Sequence, residues 1–359
     1  MSHKPTTLTR RRFLAGSAGL AAASFLPGAA FAQKKGGKLN VYSFDTYVGD
    51  NTIDDFTAAT GITVRYDTYA NNEELYAKLK TRNPGYDIIV PSDYMIQKMI
   101  AAKKLLPIDK SKIPNLANVD PFFLDPKFDP GSKFSIPYMW GTVGLGYRTP
   151  AVKGNPDSWS YIFGPEADAL KGSIVVLDDQ RTMIGAALKY LGFSLNSTNP
   201  AEIAQARDLF IRAKKNIKSF SPDSGQDVLL AGDANMVVEW NGDIVQVMKQ
   251  DPNLSYSLPK EGGMRWTDCL CIPVGAPNPD NALAWINFVN DPKVNAGIAN
   301  TIRYATPNLA ARKLINPSDL KNPAIYPSET ALAKCESLVD LGPKVTKLYD
   351  AAWTKIRSA

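Results

Sequence analysis

A chain of 359 residues with 41 Lys and Arg against 35 Asp and Glu carries a formal charge of +6, and it has one histidine, His3. Four of the basic residues (Lys4, Arg10, Arg11 and Arg12) fall in the first 32 positions with no acid beside them, which leaves 37 bases against 35 acids in the remainder and no electrostatic case for nucleic acid. With His3 in that same stretch, the remainder lacks an imidazole for general-base work, for a Ser-His or Cys-His nucleophile, or for a histidine metal site. Chemistry with carboxylates alone, such as glycoside hydrolysis, passes this filter.

In chain order, Thr9-Arg10-Arg11-Arg12-Phe13-Leu14 reads as a twin-arginine export signal. A weakly apolar stretch from Ala15 to Leu26 and a small-x-small site at Ala30-Phe31-Ala32 follow it. The mature chain is therefore expected to start at Gln33 and to lie free in a periplasm after passing the twin-arginine translocase. Residues 39–43 then read as a strand, 51–59 as a helix ending at Gly61, and 62–67 as a strand. Residues 71–81 read as a helix, 87–90 as a short buried strand and 92–102 as a helix. This βαβαβα order implies a mostly parallel sheet covered on both faces. The extended segment 136–147 reads as a crossover to a second series: strand 173–177, helix 181–191, helix 201–213 and strand 235–239. A second crossover is expected around 259–266, with the apolar run 269–272 rejoining the first sheet. More than 300 residues exceed what one core usually holds, so two lobes are expected. Cys269 and Cys271 face the same way on a strand, so at most one could reach Cys335. Plain buried residues are the better reading of them, and neither a metal nor a cofactor is expected.

In open α/β sheets, ligands bind outside the carboxyl ends of strands. That rule selects Phe44, Asp45 and Tyr47 after the first strand, Ser92 and Tyr94 after 87–90, Asp178 and Asp179 after 173–177, and Trp240 and Asp243 after 235–239. Aromatic plus acid recurs among them. It is sharpest in Trp240-Asn241-Gly242-Asp243 and Trp266-Thr267-Asp268, which suggest opposite walls of one cleft. A ring face attracts an ammonium group and covers the methylenes beside it, while a carboxylate supplies charge and accepts hydrogen bonds. The competing structural roles are helix caps for Asp179 and Asp243 and a core position for Trp240. Trp140, in the crossover, is expected to pack near the hinge.

Several longer motifs carry a family resemblance. They are Asn71-Asn72-Glu73-Glu74-Leu75-Tyr76-Ala77-Lys78-Leu79-Lys80, Val90-Pro91-Ser92-x-Tyr94 and Ser135-Ile136-Pro137-Tyr138-Met139-Trp140-Gly141. Pro259-Lys260-Glu261-Gly262-Gly263 and Tyr304-x-Thr306-Pro307-Asn308 complete the set. From about Lys38 to its end, the chain resembles the spermidine/putrescine-binding proteins that feed bacterial ABC transporters. The resemblance implies an α/β fold of the type II periplasmic binding protein class, two α/β lobes joined by two crossover strands with a ligand cleft between them. The lobes are placed at 36–142 with 267–312, and at 143–266 with 313–359. It also implies a monomer that takes a small cationic ligand, a polyamine, to an inner-membrane ABC permease, without being an enzyme.

The family's binding positions fall on Tyr47, Ser92, Tyr94, Asp179, Trp240, Trp266, Asp268 and Tyr304, and Asp243 matches an aspartate of the putrescine-preferring members. The chain departs from the pattern at Phe44, Asp45, Thr182 and Leu338, where the family has tryptophan, a small hydroxyl residue, glutamate and glutamine. The missing acceptor at Thr182 leaves a receptor for another basic solute, such as an opine or amino-acid-derived cation, as the runner-up. A secreted hydrolase built on Asp178, Asp179, Asp243 or Asp268 is the distant alternative.

Overall fold

The computed structural model describes residues 36–359, so the expected export signal and the start at Gln33 lie outside the described residues. The first series matches the periodicity: β1 (Gly37–Ser43), α1 (Thr52–Thr60), β2 (Ile62–Thr68), α2 (Asn72–Leu79), β3 (Ile88–Ile89) and α3 (Asp93–Ala101). β1 runs parallel to both β2 and β3, and Leu39, Val41, Ile88 and Ile89 are buried between the covering helices. The start of α2 is held by a reciprocal cap. The Asn71 side chain accepts the Glu74 N–H at 2.9 Å, and the Glu74 carboxylate accepts the Ala70 N–H at 3.0 Å.

The second series comprises β4 (Ser135–Arg148), a single turn α4 (Ser160–Phe163), β5 (Ile174–Leu177), α5 (Gln180–Tyr190), α6 (Pro200–Ala213), β6 (Ile217–Ser221) and α7 (Gly225–Ala231). It continues through β7 (Met236–Trp240), α8 (Asn241–Val247), β8 (Leu254–Ser257) and β9 (Arg265–Cys271). β5 is parallel to β6 and β7. The strands connect in the order β2-β1-β3-β9-β4-β7-β5-β6, with β8 on β4.

Two expectations need correction. The sheet is mixed, because β9 is antiparallel to β3 and β4, and β4 is antiparallel to β7. The chain leaves the first half along β4 and returns along β9, and a path out and back has to be antiparallel. The returning crossover is β9 itself, residues 265–271, whereas 259–266 contains a turn at Lys260 and Glu261 before the strand begins.

β4 links the two halves. Residues 135–142 pair with β9 and residues 143–147 with β7, and its first twelve residues are all buried. Pro137 has no N–H to give the ladder, and the register with β9 shifts there by a bulge. Trp140 packs against Phe123 and Tyr326, away from the ligand cavity described below, as expected. After β9, α9 (Pro279–Val289) and α10 (Pro292–Ile302) fold back, and Trp285 meets Phe56 of α1 edge to face at 5.0 Å. The C-terminal helix Gly342–Ser358 packs on α5 and α6. Cys269 and Cys271 are buried and Cys335 half-buried, all three as free thiols. No helix among the described residues is long and apolar enough to cross a membrane.

Candidate ligand-binding site

The two tryptophans reach the same place because of how β4 is flanked. Trp266 of β9 lies opposite Gly141, and Trp240 of β7 lies opposite Val143. Positions two apart on a strand share a face, so strands on either side of β4 carry both indoles to one side of the sheet. Their rings meet edge to face at 6.0 Å. Trp266 also contacts Tyr304 at 5.1 Å, Tyr304 contacts Tyr47 at 5.6 Å, and Tyr47 contacts Phe44 at 5.8 Å. Five rings thus form a continuous wall. Two glycines make room for it. A Cβ at Gly141 would stand 2.6 Å from Trp266 Cζ2, and one at Gly242 would stand 2.5 Å from Tyr304 Cε1.

These rings border a cavity of about 370 Å³, open solvent at its mouth included, lined by Phe44, Asp45, Tyr47, Ser92, Asp223, Trp240, Asp243, Trp266, Asp268 and Tyr304. Four of those residues are acids and none is a base. At one end, buried Asp268 accepts the Tyr47 hydroxyl at 2.8 Å and the Ser92 hydroxyl at 2.6 Å. Ser92 is itself oriented by Asn72, whose amide donates to its hydroxyl at 2.9 Å and accepts its N–H at 3.0 Å. Tyr47 is held by Tyr138, whose hydroxyl donates to the Tyr47 carbonyl at 2.8 Å. Burial pushes the Asp268 carboxyl up to about 7, against the pull of those two hydroxyls.

The other end is more acidic. Asp243 is buried at the start of α8 and is hydrogen-bonded by Tyr304 and by the Gln246 amide at 3.2 Å. Burial, with the Asp227 and Asp45 carboxylates, pushes it up to about 7. Asp223 is pushed up to about 8 by burial first and by Asp243 next, with Trp240 hydrogen-bonding its charged form. Behind them is Glu239, whose ligand oxygen lies within 4.8 Å of those of Asp223 and Asp243. Both Glu239 oxygens already accept backbone N–H groups, one from Gly225 and one from Trp240, each at 3.0 Å. Asp223 and Asp243 are therefore the carboxylates of this trio that line the cavity. Asp45 is exposed and lies at its mouth.

Nine of the residues selected from the sequence line this one cavity, while Asp178 lies outside it and pairs with Arg357 at 3.4 Å. Tyr94, Asp179 and Thr182 stand outside its wall. The Tyr94 hydroxyl donates to the Glu73 carboxylate at 3.0 Å, and Glu73 is pushed up to about 7 by burial and then by Asp179. Asp179 caps α5 by accepting the Thr182 N–H at 2.8 Å, so the cap role is realised there. Thr182 and Leu338, two of the departures from the family pattern, line a separate pocket with Val143, Trp159 and Met264.

Sequence reasoning missed Asp223. It follows β6, whose Ile217-Lys218-Ser219-Phe220-Ser221 is mostly polar and partly exposed and gives no apolar run. Had β6 been assigned, the strand-end rule would have found it.

An aromatic-walled, acid-lined cavity between sheet halves joined by two crossover strands defines a cleft-type solute-binding protein. The chain belongs to the bacterial extracellular solute-binding protein family, whose profile matches residues 51–327. It is 38% identical over 322 residues to a spermidine/putrescine-binding periplasmic protein of Escherichia coli (strain K12), covering 89% of this chain and 91% of that one. A putrescine-binding periplasmic protein of the same strain is 34% identical over 369 residues, covering 98% and 99%. The solved structure of a spermidine/putrescine ABC transporter substrate-binding protein from Streptococcus pneumoniae superposes with a TM-score of 0.78 at 34% identity, covering 90% and 99%.

Two predictions follow from this geometry. Gly242→Ala should drive the Tyr304 ring into the cavity and weaken ligand binding at least about tenfold in a titration; unchanged affinity would show that the ring does not shape the site. The second concerns pH. Asp223, Asp243 and Asp268, with Glu73 and Asp93, have folded-state pKa values above the unfolded values of about 4. The folded chain then holds protons that the unfolded chain has lost, and stability falls as pH rises between about 4 and 8. The ligand-free protein should melt higher at about pH 5.5 than at about pH 8, and Asp243→Asn should narrow the difference. A higher melting temperature at the alkaline end would contradict the upward shift that burial gives these acids.

Proposed function

We propose that this protein captures a polyamine in the periplasm, with a short diamine such as putrescine as its best fit, and delivers it to the permease of an ABC transporter. One observation carries the proposal: the cavity has an aromatic wall, four carboxylates and no base, and its acids fall into two separate poles. Burial and two hydroxyls set the state of Asp268, whereas burial, Tyr304 and other carboxylates set that of Asp243. A molecule with an ammonium at each end and methylenes between meets both poles and the wall. The relatives named for putrescine and spermidine support this reading.

The poles come from different halves of the sheet path. Asp268, Tyr47 and Ser92 follow from β9, β1 and β3, while Asp243, Trp240 and Asp223 follow from β7 and β6. A cation bridging them stabilises the closed form that a permease would recognise, because only closure lets it touch both. Desolvated carboxylates left without a cation are costly, which selects against neutral analogues. The pocket that holds Thr182 and Leu338 is lined by Arg181 and by no carboxylate, so it offers no acceptor of the kind the family pattern has there, which favours a short ligand over a long one.

Calorimetric titration with putrescine, spermidine and a basic amino acid tests the reading. Wild type should bind putrescine 1:1 and return it unchanged. Asp268→Asn should lose about 30-fold or more, since truncating one side of a buried charged pair costs about 2–5 kcal/mol. Trp266→Leu should lose less, about 3- to 30-fold, as cation–π contacts are worth about 0.5–2 kcal/mol. Wild-type affinity in Asp268→Asn would sink the site, and turnover of the ligand would replace the receptor with an enzyme.

A further inference from the structure

The acidic pole beside Trp240 holds more charge than one ammonium needs, and the extra carboxylate is Asp223. It stands between β6 and α7, lines the cavity, and lies with Asp243 and Glu239 in a group whose ligand oxygens are all within 4.8 Å of one another. Glu239 is engaged by two backbone amides, which leaves Asp223 and Asp243 as a facing pair. Trp240 lines the cavity beside Asp223 and favours its charged form, so one residue both presents a ring to the cavity and supports the carboxylate. The neighbouring charged and titratable groups are all acids or phenols: Asp243 on α8, Asp45 after β1, Asp227 on α7, Glu239 on β7, and Tyr304 after α10.

Resting on the polyamine reading above, we infer that Asp223 is a direct ligand contact that pairs with Asp243 to clamp a primary ammonium and so sets the end-group specificity of the site. A primary ammonium has three N–H donors and can give one to each carboxylate while a ring face covers its carbon. A quaternary ammonium has none, and would leave both carboxylates desolvated and without a hydrogen bond. The Asp268 pole is less demanding, because Tyr47 and Ser92 already donate to its two oxygens. The clamp also couples binding to protons. Asp223 and Asp243 lie near 8 and 7 when the cavity is empty, and a cation between them favours their charged forms, so binding near neutral pH releases protons and affinity rises with pH.

The test is calorimetry on the full protein near pH 7 in two buffers of different ionisation enthalpy, with putrescine and its mono-N,N,N-trimethyl derivative as probes. Wild type should bind putrescine with proton release and prefer it over the trimethyl compound. Asp223→Asn should bind putrescine at least about tenfold more weakly, release fewer protons and lose part of that preference, and Asp223→Glu should restore proton release. Because Asp223→Asn relieves carboxylate crowding, it should melt no lower than wild type, which separates a lost contact from a lost fold. Wild-type affinity and proton count in Asp223→Asn, beside a wild type that binds putrescine, would overturn the Asp223 assignment alone. Failure of wild type to bind any diamine would overturn the polyamine reading, and this inference with it.

Discussion

Carboxylates are buried here against aromatic faces, with no basic side chain among the cavity-lining residues to neutralise them. In an enclosed site, such acids either hold protons or wait for a cation, because an isolated buried charge is too costly to keep. The raised pKa values of Asp243 and Asp268, the phenol and hydroxyl donors around them and the ring wall all follow from that constraint. So does the division of the site between two sheet halves. One half alone could expose its acids to water, and the cost is met only when the halves come together.

The fold serves that constraint through β4. Its length lets β9 and β7 pair on successive segments of one strand, so Trp266 and Trp240 arrive on the same face from opposite directions. Gly141 and Gly242 lack the Cβ atoms that would collide with Trp266 and Tyr304. The same return path that makes the sheet mixed also places Asp268 beside Ser92, the two residues pairing as an isolated bridge at the edge of β3. The paired tryptophans and the Asp268 pole are therefore consequences of how β4 pairs with its two neighbours.

Much of this was legible in the sequence because it depends on short-range signals. Apolar strands with acids and aromatics at their carboxyl ends identify Asp45, Tyr47, Ser92, Trp240 and Asp243 without knowledge of partners. The pairing of aromatic with acid singled out Trp266 and Asp268, and the family resemblance added Tyr304. What was not legible depends on pairing and distance. β6 is too polar to stand out, so Asp223 was lost with it. The inward-facing carboxylate of Glu239 looks like any strand residue until its two amide partners are seen. Tyr94 and Asp179 were selected by the same strand-end rule and matched by the resemblance, and Thr182 came from the resemblance alone. The structure places them outside the cavity wall, where Asp179 caps a helix and Tyr94 binds Glu73.

The central claim is that one short diamine spans two acid poles across a ring wall. A crystal structure of the protein grown with putrescine tests it most directly. The account predicts a closed form with one ammonium on Asp268, the other on Asp243 and Asp223, and the methylenes against Trp266 and Trp240. Putrescine seated beside Glu73 and Asp179 instead, with the aromatic cavity holding only water, would contradict it.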